Sequence, residues 1–553
     1  MKKKISLMKK VMVAVSTAAA VLCGAHLAGA VSGNAGTVAL AEGRAVTIDS
    51  CLIQGKEIVV NVSCKSVPGS DDGKFYLYAD EVYEDGTVGT VVASTESGKS
   101  ATFTFPLNYN SSESNLSKKF LVAVKKGGSM NQVSDEHYIT NPESNAYQTA
   151  ARNDHGIKGI LPNDAEASTF KDLGVAQMVY NLYMSDIVCD ATTPGAILFN
   201  YDGVDYYFSP TGIAQYDAFV QWCDISGFQL TMTILNNKTD NPAAADLIHP
   251  LSRDAHVCPG YAMNTKEEGG TKHLKAIAAF LAMRYSSGAY GTVDNWVIGN
   301  EVNARTEWYY MSSDNLELNV NEYVKAFRIF YNEIKAVNAN AIIYNSIDQE
   351  WQRKSNPGCS LSKDFLDRFN YYMLREGNVD WGLSFHPYNA PLYDPYTWKQ
   401  QAIYVTNKIT TPYITMENIY LLTDYMCQSK FLNQYGQVRN ISLSEIGFTS
   451  DYGDDYQAAS VAYAYTMAAN NPYIKSFILF RETDDAHEME SHIAQGLKRL
   501  DGTKKPAYDY YKAMGTAEQE TYKSKASAII GADINSLVAN RTFLSRNGWN
   551  LND

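Results

Sequence analysis

The sequence predicts an α/β protein, a (β/α)8 barrel preceded by a small all-β sandwich. Three observations point there. Short strand-like runs crowd residues 44–142. From about residue 150, eight apolar strand-like runs alternate with helical stretches. No Gly-x-Gly-x-x-Gly or Gly-x-x-x-x-Gly-Lys-Ser/Thr loop follows any of them, which weighs against the doubly wound open sheet. The 553 residues are 45% hydrophobic and 19% charged, a globular composition with room for more than one domain.

The elements follow in chain order. Lys2, Lys3, Lys4, Lys9 and Lys10 precede an apolar run from Val11 to about Ala30. Ala28-Gly29-Ala30 fits a small-residue cleavage site, as does Ala39-Leu40-Ala41. Residues 1–30 therefore read as a secretory signal peptide, with a single membrane anchor as the alternative, since the run is only marginally long enough to span. A secreted or extracellular protein is expected. Processing would remove Cys23 and leave seven of the eight cysteines. No Cys-x-x-Cys occurs. Cys51 and Cys64 either pair or stay as free thiols, and metal binding is not expected.

The 47 Lys and Arg include the five of the leader, so the remainder sets 42 against 60 Asp and Glu, a balance of −18. That surface repels phosphate backbones and anionic membranes.

Within 44–142, the runs AVTIDSCLI, EIVVNVSC, KFYLYADEVY, ATFTFPL and KKFLVAVKK are separated by turn-rich pieces such as SVPGSDDG and NYNSSESN. This spacing predicts the sandwich. Its aromatics, Phe75, Tyr76, Tyr78 and Tyr83, suit either a core or a sugar platform. In 150–520 the barrel strands are GIKGIL, VAQMVYNL, FQLTMTIL, NWVIGNE, AIIYNSI, WGLSFHPY, ISLSEIGF and SFILFRET. TKHLKAIAAFLAMRYSS, NVNEYVKAFRIFYNEIKAV, SKDFLDRFNYYMLRE and YQAASVAYAYTMAA have helical spacing between them. Two insertions enlarge the loops. ILFNYDGVDYYF is a predicted type I′ hairpin around Asp202-Gly203, and a long segment runs from Asn236 to Gly270. Both are expected to wall a cleft, because the loops on the C-terminal side of barrel strands build the site. The tail, 521–553, is expected to pack on the barrel.

Two strands end in a carboxylate. NWVIGNE closes on Asn300-Glu301 and ISLSEIGF carries Glu445, on the fourth and seventh strands. Hydrolysis of a glycosidic bond needs one carboxylic acid to protonate the leaving oxygen and a second carboxylate to attack C1 or activate water. Asn300 is placed to meet a sugar hydroxyl beside the acid.

These motifs resemble the large clan of retaining glycoside hydrolases with (β/α)8 barrels, which carries an Asn-Glu acid/base pair after strand four and a nucleophilic Glu after strand seven. His386-Pro387-Tyr388 is similar to the clan's His-x-Tyr region, in which the Tyr bonds the nucleophile. GLKRLDGTKKPAYDYYKAM resembles its closing segment. The resemblance covers roughly residues 150–515. The chain as a whole also resembles a secreted bacterial family of unknown function. The resemblance implies a β-linked glycan as substrate, retention of configuration, Glu301 as acid/base, Glu445 as nucleophile, and no cofactor. Two departures stand out. The eighth strand gives Phe480-Arg481-Glu482 where many members have a Trp, and Asn181-Leu182-Tyr183 lacks the Arg many use near the nucleophile.

Further substrate-binding candidates are His386, Tyr388, Asn236, Trp351, Arg481 and Glu482, with Asn237, Glu350, Trp308, Tyr309, Tyr310, Asp484 and Asp485 also at strand ends or in the following loops. An aromatic ring such as Trp351 stacks on the apolar face of a pyranose. HEMESH, His487 to His492, places its histidines five apart, which turns them away from one another on a helix and excludes the His-Glu-x-x-His metal motif. Three other readings stay open: an inverting glycosidase, a transglycosylase, and a non-catalytic glycan-binding surface protein.

Overall fold

The computed structural model describes residues 44–147, 156–163, 166–286 and 288–539. The leader and its cleavage sites lie outside the described residues, as does the tail beyond 539.

The N-terminal module is two antiparallel sheets. One is β1 (Thr47–Gln54), β2 (Glu57–Ser63) and β5 (Ser100–Pro106) in the order β1-β2-β5. The other is β3 (Lys74–Asp80), β4 (Thr90–Glu96), β6 (Lys119–Lys126) and β7 (Ser129–Gln132) in the order β4-β3-β6-β7. Alternate residues of both, among them Cys51, Ile58, Phe75, Leu77, Phe103 and Phe120, share one buried core. Phe75 is thus a core residue, and Tyr76 holds Asp72 at 2.7 Å. Cys51 faces Val60 across the ladder, while Cys64 donates to the Gly98 carbonyl at 3.3 Å; both are free thiols.

Eight parallel strands close the barrel. They are β8 (Lys158–Ile160), β9 (Gln177–Tyr183), β12 (Gln229–Leu235), β13 (Asn295–Ile298), β14 (Ile342–Asp348), β15 (Gly382–His386), β16 (Ile441–Ile446) and β17 (Ile474–Leu479), and β17 pairs back to β8. Each is followed by a helix: α1 (Ala167–Asp172), α2 (Pro210–Ser226), α3 (Glu268–Arg284), α4 (Leu316–Lys335), α5 (Ser362–Arg375), α6 (Tyr420–Met426), α7 (Asp454–Ala469) and α8 (Pro506–Ala513). Local signals set their ends. In α2, the Ser209 side chain accepts from Gly212 N–H at 3.1 Å, Pro210 opens the first turn, and Gly227 closes it in the left-handed region.

Strand residues alternate. Leu230, Met232, Ile234, Ile343, Ile347, Leu383, Phe385, Leu443 and Phe477 join the helices in one large core. Their neighbours, including Thr231, Tyr344, Ser384, Ser444 and Ile478, fill the barrel interior. Gly382 leaves room there for the Tyr344 ring, which a Cβ would meet at 2.4 Å.

The insertion after β9 is a hairpin, β10 (Ile197–Tyr201) and β11 (Val204–Phe208), turning at Asp202 and Gly203 with φ of 48° and 78°. It does not wall the cleft as expected. Phe208 stacks on Phe280 of α3 at 3.7 Å and Phe199 meets the same ring edge-on, so the hairpin lies on the barrel's outer wall. Its tip reaches the sandwich, where Asp202 N–H donates to Asn110 at 3.1 Å. At the tail, α9 (Gln519–Ile530) and α10 (Ile534–Ala539) cover α7 and α8, with Tyr522 edge-on to Tyr510 at 5.0 Å.

Candidate active site

The two strand-end carboxylates meet at the C-terminal mouth of the barrel, on either side of one imidazole. His386 ends β15 with the same inward parity as Ser384. Its Nδ1 lies 2.8 Å from Glu301 Oε1 and 3.9 Å from Glu445 Oε2. Its Nε2 lies 3.1 Å from Ser444 Oγ, which in turn pairs with Ser384 Oγ at 2.5 Å. The two Nδ1 contacts share an atom, so Glu301 Oε1 and Glu445 Oε2 are separated by no more than their sum, 6.7 Å.

Backbone irregularities aim both carboxylates. After β13 the chain turns at Gly299 and Glu301, with φ of 77° and 40°. A left-handed glutamate costs about 1–3 kcal/mol of local strain, and such strain concentrates at functional sites. Glu301 N–H donates to Ser346 Oγ at 3.1 Å, which fixes the turn against β14. In β16, Ser444 faces the interior, so a regular strand would send Glu445 outward. A register shift against β17 between Leu443 and Ile446 breaks that alternation. Glu445 Oε1 accepts from the Tyr388 hydroxyl at 2.6 Å.

The surroundings separate the two carboxyls. Burial pushes Glu301 up to about 7; the His386 bond and charge oppose this, while the Asp348 and Glu445 charges add to it. Burial disfavours a charged His386, but Glu445, Glu301 and Asp348 outweigh it and raise the imidazole above its ordinary value. Burial, with the Glu445 charge, keeps the Tyr388 phenol protonated. Glu445 retains 27% side-chain exposure against 13% for Glu301, so the less buried carboxyl is the one with the phenol donor.

Of the other sequence candidates, Asn300 stands partly exposed beside Glu301. Trp351 does not reach the mouth. It is fully buried, its indole N–H donates to the Ile409 carbonyl at 3.0 Å, and its ring meets Tyr425 edge-on. A ring sealed on every side has no face for a sugar. Asn236 is buried and caps its own loop, donating to the Leu247 and Ala262 carbonyls at 2.9 and 3.1 Å. Glu482 pairs with Lys498 at 2.8 Å and accepts from Asn163 N–H at 2.7 Å, so its carboxylate is spent on the wall. Arg481 pairs not with Glu482 but with Glu488, at 3.1 Å. Asn237 accepts from Ser185 and Tyr310 donates to Asp254, both 2.6 Å. Tyr309 is buried and accepts from Met263 N–H, while Trp308 is partly exposed. Asp484 holds Lys505, Asp485 caps a helical turn, and His487 and His492 face Glu490 and Asp451.

Sequence reasoning missed Ser346, Asp348, Ser384, Ser444 and Glu488. Asp348 is buried behind Glu301, accepting from Ser362 Oγ at 2.6 Å and Glu350 N–H at 2.8 Å. It ends β14 as Glu301 follows β13, so the strand-end rule that found the glutamate applies equally to it. Glu488 lies near Glu445 and is pushed up to about 7 by burial, with the Asp485 and Glu445 charges adding.

Residues 150–537 match the model of a family of unknown function (DUF5722). The chain belongs to that family. No curated protein matches it. Similar solved structures include a β-glucosidase from Pyrococcus furiosus, at 13% identity and TM-score 0.43 over 66% of this chain and 87% of that one. A GH5_18 protein from Bifidobacterium longum subsp. longum aligns at 11% identity and TM-score 0.42, over 65% and 78%. A β-glucuronidase 2 calcium-binding mutant from Bacteroides uniformis aligns at 12% identity and TM-score 0.39, over 86% of this chain. The chain spans 50% of the length of that glucuronidase.

Proposed function

We propose that this protein is a secreted glycoside hydrolase that cleaves a β-linked glycan with retention of configuration. The observation that carries the reading is the pair of barrel-mouth carboxylates on either side of His386, one more buried and pushed up to about 7, the other more open and held by a phenol. Glu445 attacks C1 while Glu301 gives its proton to the departing oxygen. Water then enters, Glu301 takes a proton from it, and the hydroxide displaces Glu445. The proton returns to Glu301 and the glutamate is freed, so the cycle balances. His386 suits both halves. With its proton on Nδ1 the imidazole donates to Glu301 Oε1 whether or not the carboxyl's other oxygen holds the acid proton, and Nε2 accepts from the Ser444 hydroxyl.

Retaining enzymes hold their carboxyls about 5–5.5 Å apart and inverting ones about 6.5–9.5 Å. The two oxygens that meet Nδ1 are at most 6.7 Å apart, which leaves out most of the inverting range and leaves room for the retaining one. Export rests on the leader's basic, apolar, small-residue pattern.

The test is hydrolysis of a panel of aryl glycosides and glycans by wild type, Glu445→Ala and Glu301→Gln, with the product anomer followed by NMR. Turnover with retained configuration, lost in Glu445→Ala, is expected. Turnover indifferent to both glutamates would overturn the assignment, and inverted product would overturn the nucleophile.

A further inference from the structure

The rim beside Glu445 carries tyrosines that the two-carboxylate chemistry does not use. Tyr393 and Tyr396 lie in the loop after β15 and Tyr452 in the loop after β16, and they are 48%, 41% and 49% exposed. The first loop begins at His386 and Tyr388, the second at Glu445, so both rise from the site itself.

Two of these rings meet others of the protein. Tyr396 stands edge-on to Trp398 at 5.8 Å and to Tyr456 of α7 at 5.0 Å. The Tyr452 ring lies 6.2 Å from that of His492, whose Nδ1 meets Asp451 at 2.5 Å. The loops beneath are fastened. Asn389 donates to the Asp394 carbonyl at 2.7 Å, Ala390 N–H to Gln400 at 2.8 Å, and Ser460 to the Pro395 carbonyl at 3.0 Å. Ser450 N–H donates to the Ala494 carbonyl at 2.9 Å.

Exposed aromatics scattered singly need no explanation, but a group on neighbouring loops that rise from one site marks a binding surface. We propose that these tyrosines form a distal sugar-binding shelf that takes neutral pyranose units of the same glycan whose scissile bond lies between Glu301 and Glu445. Pyranose rings present apolar C–H faces to such rings, and the phenol hydroxyls serve the sugar's rim. A ring already packed on its neighbours, as Tyr396 is, loses little entropy when a ligand arrives. The adjoining Asp451, Asp454 and Asp455 stand against Lys399, His492 and Arg499, and two of them are already paired, so the shelf offers an anionic sugar no net attraction. The shelf makes the substrate an oligosaccharide or polysaccharide rather than a short glycoside. This rests on the hydrolase reading for its occupant.

The test is binding by calorimetry of cello-, manno-, xylo- and chito-oligosaccharide ladders to the full chain carrying Glu445→Gln, which stops turnover. Affinity for one ladder should rise with chain length. Adding Tyr396→Ala or Tyr452→Ala should cut the affinity of the long members about tenfold, and Tyr396→Phe, which keeps the ring, should retain it. Thermal melts check that each variant is folded. Affinity independent of length, equal in the Ala variants, or absent for every ladder would overturn the shelf. Length- and tyrosine-dependent binding in a protein whose wild type hydrolyses nothing would keep the shelf and remove the hydrolase. Hydrolysis without length dependence would do the reverse.

Discussion

Replacing His386 by Phe separates the two influences on Glu301. Ring volume stays, so the carboxyl keeps its degree of burial, but the 2.8 Å contact and the imidazole charge go. Ser444 keeps its 2.5 Å partner Ser384, so no hydroxyl is orphaned. Burial is the largest push on Glu301 and survives the change; the His386 bond and charge are what restrain it. A hydrogen bond to a charged group is worth about 1.5–3 kcal/mol, or about one to two pH units. As a general acid Glu301 must hold its proton, so activity falls as pH rises through its pKa. In wild type that alkaline limb of kcat/KM is expected near 7. In His386→Phe it should move up by about one to two units, measured with the best aryl glycoside after a melt confirms folding. A limb that stays or moves down would refute the argument. The limb would then belong to another buried carboxyl, with Glu488 at about 7 and Glu350 at about 8 as the alternatives.

Tyr388→Phe removes the 2.6 Å bond to Glu445 and should lower kcat/KM about tenfold to a hundredfold; an unchanged value would mean that the phenol does not support the nucleophile. Trp351→Ala should cost about 3–5 kcal/mol in urea unfolding, because the ring is core, and a stable variant with lost glycan binding would contradict that placement. Glu333, buried between Ser117 and Tyr201, is raised from 4.5 to about 8 by burial, with the Asp202 charge adding. A carboxyl raised on folding contributes stability that is full below about 4.5 and drains as pH climbs through about 8, a few kcal/mol in all. Glu333→Gln should flatten that slope in melts taken across this range, and an unaltered slope would assign it to another group.

The barrel was legible because each strand is a dense apolar run bounded by turns and helices such as α4 and α5 keep a 3.6-residue stripe. Two sandwich strands were not. β4 is an edge strand with no buried residue in TVVASTE, and β7 is only SMNQ, so neither shows the apolar alternation that marks a strand. Glu301 and Glu445 were legible because each is the polar residue that closes an apolar strand, although the left-handed turn at Glu301 and the register shift beside Glu445, not regular parity, aim them; His386 and Tyr388 were legible from the family resemblance. The rule fails where the chain spends that residue locally. Asn236 binds two loop carbonyls and Glu482 a lysine, contacts that depend on loop paths absent from any pattern of spacing. Trp351 fails for a related reason, because the segment after residue 403 folds back to bury it through Ile409 and Tyr425.

The same distinction bears on the N-terminal sheets. A glycan-collecting module would be expected to hang near the rim, yet this one is fastened mostly to the outer helices of the barrel. Glu81 pairs with Lys275 of α3 at 2.7 Å, the Leu116 carbonyl accepts from Asn332 of α4 at 3.1 Å, and Asp135 pairs with Arg375 of α5 at 2.6 Å. Ala336, at the end of α4, lies within the sandwich's own core. Partly buried polar pairs of this kind add little net stability over apolar packing, but they favour one docking geometry, because a shift of the module leaves charges or hydrogen-bonding groups without their partners. The β10–β11 hairpin fits the same role, since its aromatic face lies on Phe280 and its tip on Asn110. The sandwich and the hairpin thus brace the outer wall around α3, α4 and α5. These helices follow β12, β13 and β14, and β13 and β14 lead to Glu301 and Asp348, so the module's contacts fall on the wall outside the site and not on its rim.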